Sequence, residues 1–214
     1  MRSSKRGNYS QLLADFLDSK QNLIILSGAG TSVESGIPTY RDTQGKWLQS
    51  PPIQHNDFVK RKECRQRYWL RSYAGWPAVN RAQPTLCHEA ITSLEHRGVV
   101  DLVVTQNVDR LHQKSGTKNV IDLHGRLDQV ICLDCGAKYK RSWVQEILER
   151  ENPFLRQSAQ PAPDGDAHIE SDHVSLLKLP LCSACEGMLK PNVVFFGGQV
   201  EKDIIEQVYR KLDG

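Results

Sequence analysis

The stretch TQNVDRLHQKSGTKNVIDLHG, residues 105–125, decides the fold predicted for this chain. Two apolar, β-branched runs end around it: VDLVVT at 100–105 precedes a Gln-Asn pair, and VIDL at 120–123 precedes a His-Gly pair. Such runs are typical of buried strands in an α/β sheet, and polar residues at the C-terminal ends of these strands lie where open α/β sheets bind ligands. We therefore predict a crevice formed by Gln106, Asn107, Asp109 and His124. The simpler alternative is that this segment only caps a helix and that its histidine is an ordinary turn residue.

A glycine-rich segment, GAGTSVESGIP, runs from Gly28 to Pro38 directly after a predicted strand at 23–28. Glycines let the backbone turn tightly and approach a phosphate, and a helix start offers free N–H groups to an anion. The spacing departs from Gly-x-Gly-x-x-Gly, however, and no acidic residue follows about 20 positions later at the end of a second strand. The segment therefore indicates either a dinucleotide loop or a structural turn. Arg41 could pair with a pyrophosphate or face solvent.

Four of the six cysteines form two Cys-x-x-Cys pairs, and the two remaining ones, Cys64 and Cys87, are isolated. Each pair supplies two thiolates from a tight turn, as in a tetrahedral structural zinc site. Four thiolates leave no open ligand position, so the metal should stabilise the fold and take no part in catalysis. The alternatives are independent redox pairs or chance. The predicted ligands are Cys132, Cys135, Cys182 and Cys185.

Composition excludes several classes of protein. The 214 residues carry a net charge of only +3, which indicates neither nucleic acid nor a membrane surface as partner. The apolar runs stay short of the roughly 20 residues that span a bilayer. The basic start MRSSKR lacks the apolar core of a secretory signal, and a helix is predicted at 9–17, so we expect a cytoplasmic protein, with the mitochondrial matrix as the alternative.

Basic and aromatic residues interleave over residues 57–76, with RQRYWLR at 65–71 followed by Tyr73 and Trp76. This pattern superficially suits nucleic-acid binding, but an aromatic stripe at helical spacing more often forms core while its arginines are solvated. Beside the zinc ligands, KYKR at 138–141 is the one feature that supports a nucleic-acid-binding zinc module. We expect no nucleic-acid partner.

Three further elements complete the predicted chain. A helix is predicted from about Thr85 to His96, and a helical period recurs at 201–213. LKPNVVFFGG, at 189–198, combines β-branched and aromatic residues with a Gly-Gly stop, which is typical of a strand. Its backbone could pair with an extended peptide by strand addition, and an ordinary core strand is the alternative.

The order of these motifs resembles the sirtuins, which are NAD-dependent protein lysine deacylases. The resemblance runs from about residue 23 to the end and rests on GAGTSVESGIP, TQNVD, HG, the two Cys-x-x-Cys pairs and VVFFG. QRYW, GWP, APDGD and LKPNVVFFG resemble the class II branch, which includes bacterial members and a mitochondrial animal enzyme of the lipoamidase and ADP-ribosyltransferase type.

The resemblance implies a site and a mechanism. Gln106 and Asn107 would contact the nicotinamide ribose, and Asp109 would help to form the nicotinamide pocket. After the acyl-lysine oxygen attacks the ribose carbon and nicotinamide leaves, His124 would act as general base, giving free lysine and O-acyl-ADP-ribose; an imidazole suits this because its pKa is about 6.5. His124 and Asn107 are thus the implied catalytic residues. NAD would also contact Gly28, Ala29, Gly30, Ser32, Ile37, Pro38, Tyr40 and Arg41, and substrate peptide would pair with Val193, Val194, Phe195 and Gly197.

The chain departs from the family pattern in three places. Thr39 replaces the usual aspartate, and Gly198 replaces the usual acidic residue after Phe-Gly. The family's last sheet strands, with the Gly-Ser-Ser loop and the asparagine that hold the adenosine side of NAD, are not found in these 214 residues. Tyr68 and Arg71 resemble the pair by which the desuccinylating branch reads an acidic acyl tail; the alternative is a surface pair on a helix.

These observations predict an α/β protein in which a Rossmann-like parallel sheet, incomplete at its C-terminal end, carries an inserted zinc module. The expected divisions are an N-terminal helix at 1–22, an NAD-binding part at 23–130, a zinc module with a long insertion at 131–190, and a return to the Rossmann-like part at 191–214. We expect a monomer that removes acetyl, larger or acidic acyl groups from protein lysines, using NAD and one structural zinc ion. The alternatives are a protein ADP-ribosyltransferase and an inactive NAD- and zinc-binding scaffold.

Overall fold

A computed structural model describes residues 4–39, 44–46, 52–155 and 174–213. Within these ranges, no helix combines the length and the apolar character needed to cross a membrane. The predicted cofactor residues Tyr40 and Arg41 lie outside the described residues, as does the APDGD motif.

Three parallel strands form the first sheet, in the order β1-β2-β3. They are β1 (Leu23–Ser27), β2 (Val100–Thr105) and β3 (Val120–Asp122). Their register pairs Ser27 with Thr105 and Thr105 with Asp122, so the three strands end side by side. All three strands were predicted, and their aligned ends bring the segments that follow them to one edge of the sheet.

Helices cover both faces of the parallel sheet. They are α4 (Leu86–His96) and α7 (Lys202–Asp213). Two further helices belong to this part of the chain: α1 (Ser4–Asp18), most of whose large apolar side chains are exposed, and α5 (Leu111–Ser115). On one face Ile91 of α4 packs with Val100 and Val103 of β2. On the other face Ile204 and Val208 of α7 pack against a cluster made by β2 and β3. This alternation along β2 explains why the strand is almost continuously apolar.

The second sheet is antiparallel and has the order β5-β4-β6. Its elements are β4 (Gly125–Cys132), β5 (Lys138–Lys140), α6 (Arg141–Glu151) and β6 (Leu189–Val193). β4 crosses the predicted division between residues 130 and 131, and β6 crosses the one between 190 and 191. The sheet of the zinc module therefore begins at Gly125, because β4 needs its full length to pair with β6.

Two helices lie between β1 and β2 in the chain, α2 (His55–Lys60) and α3 (Lys62–Arg81). The aromatic stripe of α3 belongs to the core, as its helical spacing favoured. Trp69, Leu70 and Tyr73 form one buried cluster with residues of β4, α6 and β6. Arg141, the last residue of the basic KYKR segment, is fully buried. Its burial removes one cation from the surface that a nucleic-acid partner would need.

Candidate active site

The glycine loop and the end of β2 are joined by the side chain of Asn107. Its Nδ2 donates to the carbonyl oxygen of Gly28 at 3.1 Å and lies 3.0 Å from Thr31 Oγ1 and 3.1 Å from Ser32 Oγ. The loop itself forms a 3₁₀ helix, Ala29–Ser35, that ends in the left-handed residue Gly36. These bonds occupy the buried amide of Asn107 and fix the loop against the strand ends.

Asp109 both caps the next helix and lines the cleft. Its Oδ1 accepts a hydrogen bond from the backbone N–H of Leu111 at 2.9 Å, so it caps α5. Its Oδ2 accepts from the hydroxyl of Ser32 at 2.7 Å. The cap on the helix therefore also holds the glycine loop, and the carboxylate is fixed at the cleft.

His124 follows β3 and lines the same cleft as Gln106, Asn107 and Asp109. Its Nδ1 lies 3.1 Å from the backbone carbonyl oxygen of Gln106. Because a carbonyl oxygen only accepts, Nδ1 carries the proton when the ring is neutral, and Nε2 is left as the proton acceptor. The imidazole is thus held in the tautomer that a general base requires.

The cleft between the two sheets has a volume of about 380 Å³. Parallel-sheet residues form one side, and α3 together with the segment after β6 forms the other. The predicted site residues that line it are Ala29, Ser32, Ile37, Pro38, Tyr68, Arg71, Gln106, Asn107, Asp109, His124, Val193, Val194 and Phe195. The predicted residues Gly28, Gly30 and Gly197 do not line the cleft, although Gly28 borders it through its bond to Asn107.

The segment after β6 is bound to the residues beside His124. The backbone N–H of Val194 donates to the carbonyl oxygen of His124 at 2.8 Å, and Gly125 pairs with Val193. A Cβ on Gly125 would lie 2.2 Å from the carbonyl oxygen of Asn192, and its φ is +81°, so only glycine fits at this crossing. Backbone pairing therefore holds the candidate base next to the candidate peptide-binding segment.

Sequence reasoning missed a buried hydrogen-bond chain beneath the cleft. The hydroxyl of Ser27, the last residue of β1, donates to Thr105 Oγ1 at 2.8 Å, and Thr105 Oγ1 accepts from the backbone N–H of Asn107 at 3.1 Å. His112 Nε2 lies 2.8 Å from Ser27 Oγ, and its ring meets that of His88 edge-on at 4.7 Å. The sequence feature that could have predicted this chain is the hydroxyl residue at the end of each of two adjacent strands, Ser27 and Thr105.

The buried histidine pair is held neutral. The proton of Ser27 points to Thr105, so His112 Nε2 donates to Ser27, and His112 Nδ1 is buried with no hydrogen-bond partner among the described residues. Desolvation, followed by repulsion from His88, lowers the pKa of His112 to about 4. Desolvation also lowers the pKa of His88. Neither ring therefore acts as a cation near neutral pH.

Arg110 forms an ion pair with Asp122 at the rim of the site. Arg110 lies in the left-handed region, at φ 68°, immediately before α5. Asp122 also accepts from Gln113 Nε2 at 2.9 Å. The pair links the residue after Asp109 to the end of β3, two residues before His124.

The four predicted zinc ligands meet in the second sheet. All four Sγ atoms lie within 4.8 Å of one another, and the Cys132–Cys185 and Cys135–Cys182 pairs are each 3.6 Å apart. A tetrahedral zinc ion with bonds of about 2.3 Å would hold its sulfur ligands about 3.8 Å apart. The arrangement therefore fits one structural zinc ion, as predicted. No other group of ligand-type side chains that could hold a metal is found among the described residues.

Two matching turns build the zinc site. Gly136 N–H donates to the carbonyl oxygen of Cys132 at 3.0 Å, and Glu186 N–H donates to that of Cys182 at 2.8 Å. Asp134 joins the turns, because its Oδ2 accepts from the backbone N–H of Met188 at 2.6 Å. The sulfur atoms are thus directed to one point before any metal binds.

The chain is similar to known proteins over most of its length. Residues 28–214 match the model of the Sir2 family. A protein of Bradyrhizobium diazoefficiens named NAD-dependent protein deacetylase 2 is 48% identical over 197 residues, covering 92% of this chain and 72% of the relative. NAD-dependent protein deacylase Sirt4 of Drosophila melanogaster is 42% identical over 200 residues, which are 92% of this chain and 64% of that relative. A solved structure of a Sir2 mutant in complex with a deacetylated p53 peptide and 3′-O-acetyl ADP-ribose has 28% sequence identity and a TM-score of 0.69. The match covers 94% of this chain and 71% of the solved one.

Proposed function

The chain belongs to the Sir2 family, and on that premise we propose that it is an NAD-dependent protein lysine deacylase that releases nicotinamide and O-acyl-ADP-ribose. One observation supports the activity above the others. The acceptor nitrogen of His124, the buried amide of Asn107 and the segment at 193–195 share a single cleft. A base, a cofactor loop and a strand suited to an extended peptide are the parts this reaction needs.

NAD, when bound, supplies a ribose carbon from which nicotinamide can leave. Ser32, Asn107 and Asp109 form a connected polar group at the end of the cleft nearest the glycine loop, where they would hold the nicotinamide and its ribose. These bonds hold the three polar groups in fixed positions relative to one another, and fixed polar groups need little reorganisation when NAD enters.

His124 supplies the proton acceptor. With Nδ1 directed to the carbonyl of Gln106, its Nε2 is free to take a proton from a ribose hydroxyl. The neighbouring bond from Val194 N–H to the His124 carbonyl keeps the substrate segment in register with this base. The acyl-lysine would enter as an extended strand beside residues 193–195.

The side of the cleft that α3 lines offers groups that would contact an acyl chain longer than acetyl. Tyr68 and Arg71 lie one helical turn apart on α3, and both line the cleft. The aromatic rings of Phe58, Tyr68 and Phe195 pack against one another there, with their ring centres 5.2–5.5 Å apart. We include acyl groups larger than acetyl in the proposed activity for this reason.

The substitution His124→Ala tests the function. We expect formation of deacylated peptide and O-acyl-ADP-ribose to fall by at least about 100-fold, because a general base contributes that much or more, while circular dichroism stays unchanged. His96→Ala removes an exposed histidine outside the cleft and should retain full activity. Undiminished deacylation by His124→Ala would refute the proposed base. Label from NAD appearing covalently on protein would identify an ADP-ribosyltransferase instead.

A further inference from the structure

A buried arginine lies behind one aromatic wall of the cleft. Arg141 is fully buried, and its guanidinium carbon is 5.3 Å from the ring centre of Trp76 and 5.5 Å from that of Trp69. Its Nη2 donates to the backbone oxygen of Ser72 at 3.0 Å and lies 3.1 Å from Ser72 Oγ. Because Trp76 and Ser72 both line the cleft, this cation is one side chain away from the cleft interior.

A buried lysine lies behind the part of the same wall that the segment after β6 forms. Lys190 is 7% exposed, and its Nζ is 4.5 Å from the ring centre of Phe195. The ammonium donates to the carbonyl oxygen of Pro191 at 3.2 Å and to that of Val193. Phe195 and Val193 line the cleft, so a second cation is also separated from it by a single aromatic ring.

Neither cation has a carboxylate partner within the ranges that the structure describes. Their acceptors are carbonyl and hydroxyl oxygens, and Nε and Nη1 of Arg141 have no acceptor among the described residues. Burial lowers the pKa of Lys190 to about 8 and that of Arg141 to about 10. Both side chains therefore remain mainly charged at pH 7, and among the described residues no carboxylate pairs with either of them.

The lining of the cleft adds to this imbalance. Arg71 lies in the wall itself, next to Tyr68. Asp109 is the one carboxylate among the described lining residues, and Ser32 and Leu111 hold it at the opposite, cofactor end. The acyl end is thus apolar in its surface and positive in its electrostatic potential, which is the environment that a desolvated carboxylate requires.

We propose that the cleft selects acyl groups that end in a carboxylate, and that Arg141 and Lys190 determine this specificity through their fields without touching the acyl group. The proposal rests on the deacylase function above. A carboxylate on the cleft side of the ring would be about 8 Å from either cation. At an effective dielectric constant of about 20, that separation is enough for about a tenfold preference per cation.

The experiment compares two peptides that differ only in charge. One carries glutaryl-lysine, and the other carries the carboxamide of the same chain, which has the same length and shape. The ratio of their kcat/KM values at pH 7 should be about 100 in the wild-type protein, since each cation contributes about tenfold. We expect Lys190→Met, which keeps the length of the side chain, to lower the ratio by about tenfold, and Arg141→Met to do the same.

Controls separate the field from structural effects. Lys60→Met removes an exposed lysine and changes the net charge equally, so it should leave the ratio unchanged. Arg141→Lys keeps the buried charge and should keep most of the preference. A merely structural role would lower the melting temperature and reduce turnover of both peptides together, without moving their ratio. If Arg141→Met does not fold, Lys190→Met and Arg141→Lys still decide the matter.

The failure of this proposal is distinguishable from failure of the proposed function. Nicotinamide release with an acetyl-lysine peptide tests the function alone. If no peptide is turned over, calorimetric Kd values of the same two peptides give the ratio by binding. A wild-type ratio near 1, or a ratio that neither Lys190→Met nor Arg141→Met changes, would overturn the proposal while leaving the deacylase intact.

Discussion

The two sheets of this molecule supply opposite walls of one cleft, but they are held together in different ways. The parallel sheet has small apolar clusters on its two faces, and its strand ends are tied by buried hydrogen bonds from Ser27, Thr105 and Asn107. The antiparallel sheet depends on four converging thiolates and on an aromatic core shared with α3. One wall is organised by hydrogen bonds at strand ends, and the other by a metal.

This contrast means that damage to either half should have a distinct signature. The residues that carry the proposed chemistry lie on the first wall, while β6 leads into the peptide-binding segment on the second. Losing the second wall should abolish substrate binding and leave the parallel sheet folded, whereas weakening the first should alter the site without releasing zinc.

Removing zinc should have the largest effect. Cys135 and Cys185 are the exposed ligands, so replacing both with serine removes metal ligation with little direct loss of core packing. Structural zinc sites contribute on the order of 10 kcal/mol to folding of small modules. We expect the double variant to lose zinc and deacylation activity together. Amide hydrogen exchange should stay as slow in β2 as in the wild-type protein and become fast in β4 and β6.

Cys87→Ser is the matched control, because Cys87 is equally exposed but lies on α4, away from the sulfur cluster. It should retain one zinc ion per chain by atomic emission and full protection of both sheets. Protected β4 and β6 amides in the zinc-free double variant would show that the shared aromatic core alone folds the module.

A smaller, acid-linked effect is expected from the hydrogen-bonded wall. His112 has a folded-state pKa of about 4 and an ordinary value of 6.5, so between these values the unfolded chain binds the proton more strongly. Stability is therefore complete above pH 6.5 and is lost as the pH falls from 6.5 to 4. The shift corresponds to about 3 kcal/mol, and we expect about 2 kcal/mol because polar groups around the ring can rearrange around its charge.

Urea unfolding of the wild-type protein and His112→Gln at pH 7.5 and pH 5 measures this effect. Thiolate protonation also weakens the zinc site in acid, but it affects both proteins alike, so the difference between them isolates the imidazole. An identical loss of stability in both proteins would mean that His112 is not buried as a neutral ring.

Local sequence patterns were sufficient for the parts of the fold that depend on nearest neighbours. β2 begins and ends where its apolar run does, whereas α1 extends beyond the predicted 9–17 and covers Ser4–Asp18. The convergence of Asn107 and His124 followed from one rule, that parallel strands end at a common edge. The four cysteines converge for an equally local reason, since each pair comes from one turn.

The residues that were missed depend on long-range placement. The bond between Ser27 and His112 joins positions 85 residues apart, and neither side chain differs in pattern from an ordinary buried or surface residue. Arg141 belongs to a segment that looks basic, yet it is buried because α6 packs against α3. Such contacts are set by how helices pack, which the periodicity of a single segment does not specify.

The smallest expected effect tests whether backbone strain is stored equally in the two halves. Each half has a non-glycine residue in the left-handed region, Arg110 beside the site and Glu186 in a zinc turn, with φ of 68° and 58°. Glycine adopts this region without steric cost, while alanine does not. We expect glycine to be more stable than alanine by about 0.5–1 kcal/mol at both positions, after allowing for the greater freedom of glycine in the unfolded chain.

The total loss in the free energy of unfolding should be larger at position 110 than at position 186. Either substitution at Arg110 also leaves Asp122 without its ion-pair partner, whereas Glu186 forms none of the salt bridges found among the described residues. Urea midpoints of the four variants, measured with zinc bound, separate the two contributions: the glycine–alanine difference reports backbone strain, and the mean reports the ion pair. A glycine–alanine difference near zero at 110, with the expected value at 186, would show that the hydrogen-bonded wall relaxes its strain in solution. A wall organised by a metal would then be the more rigid of the two.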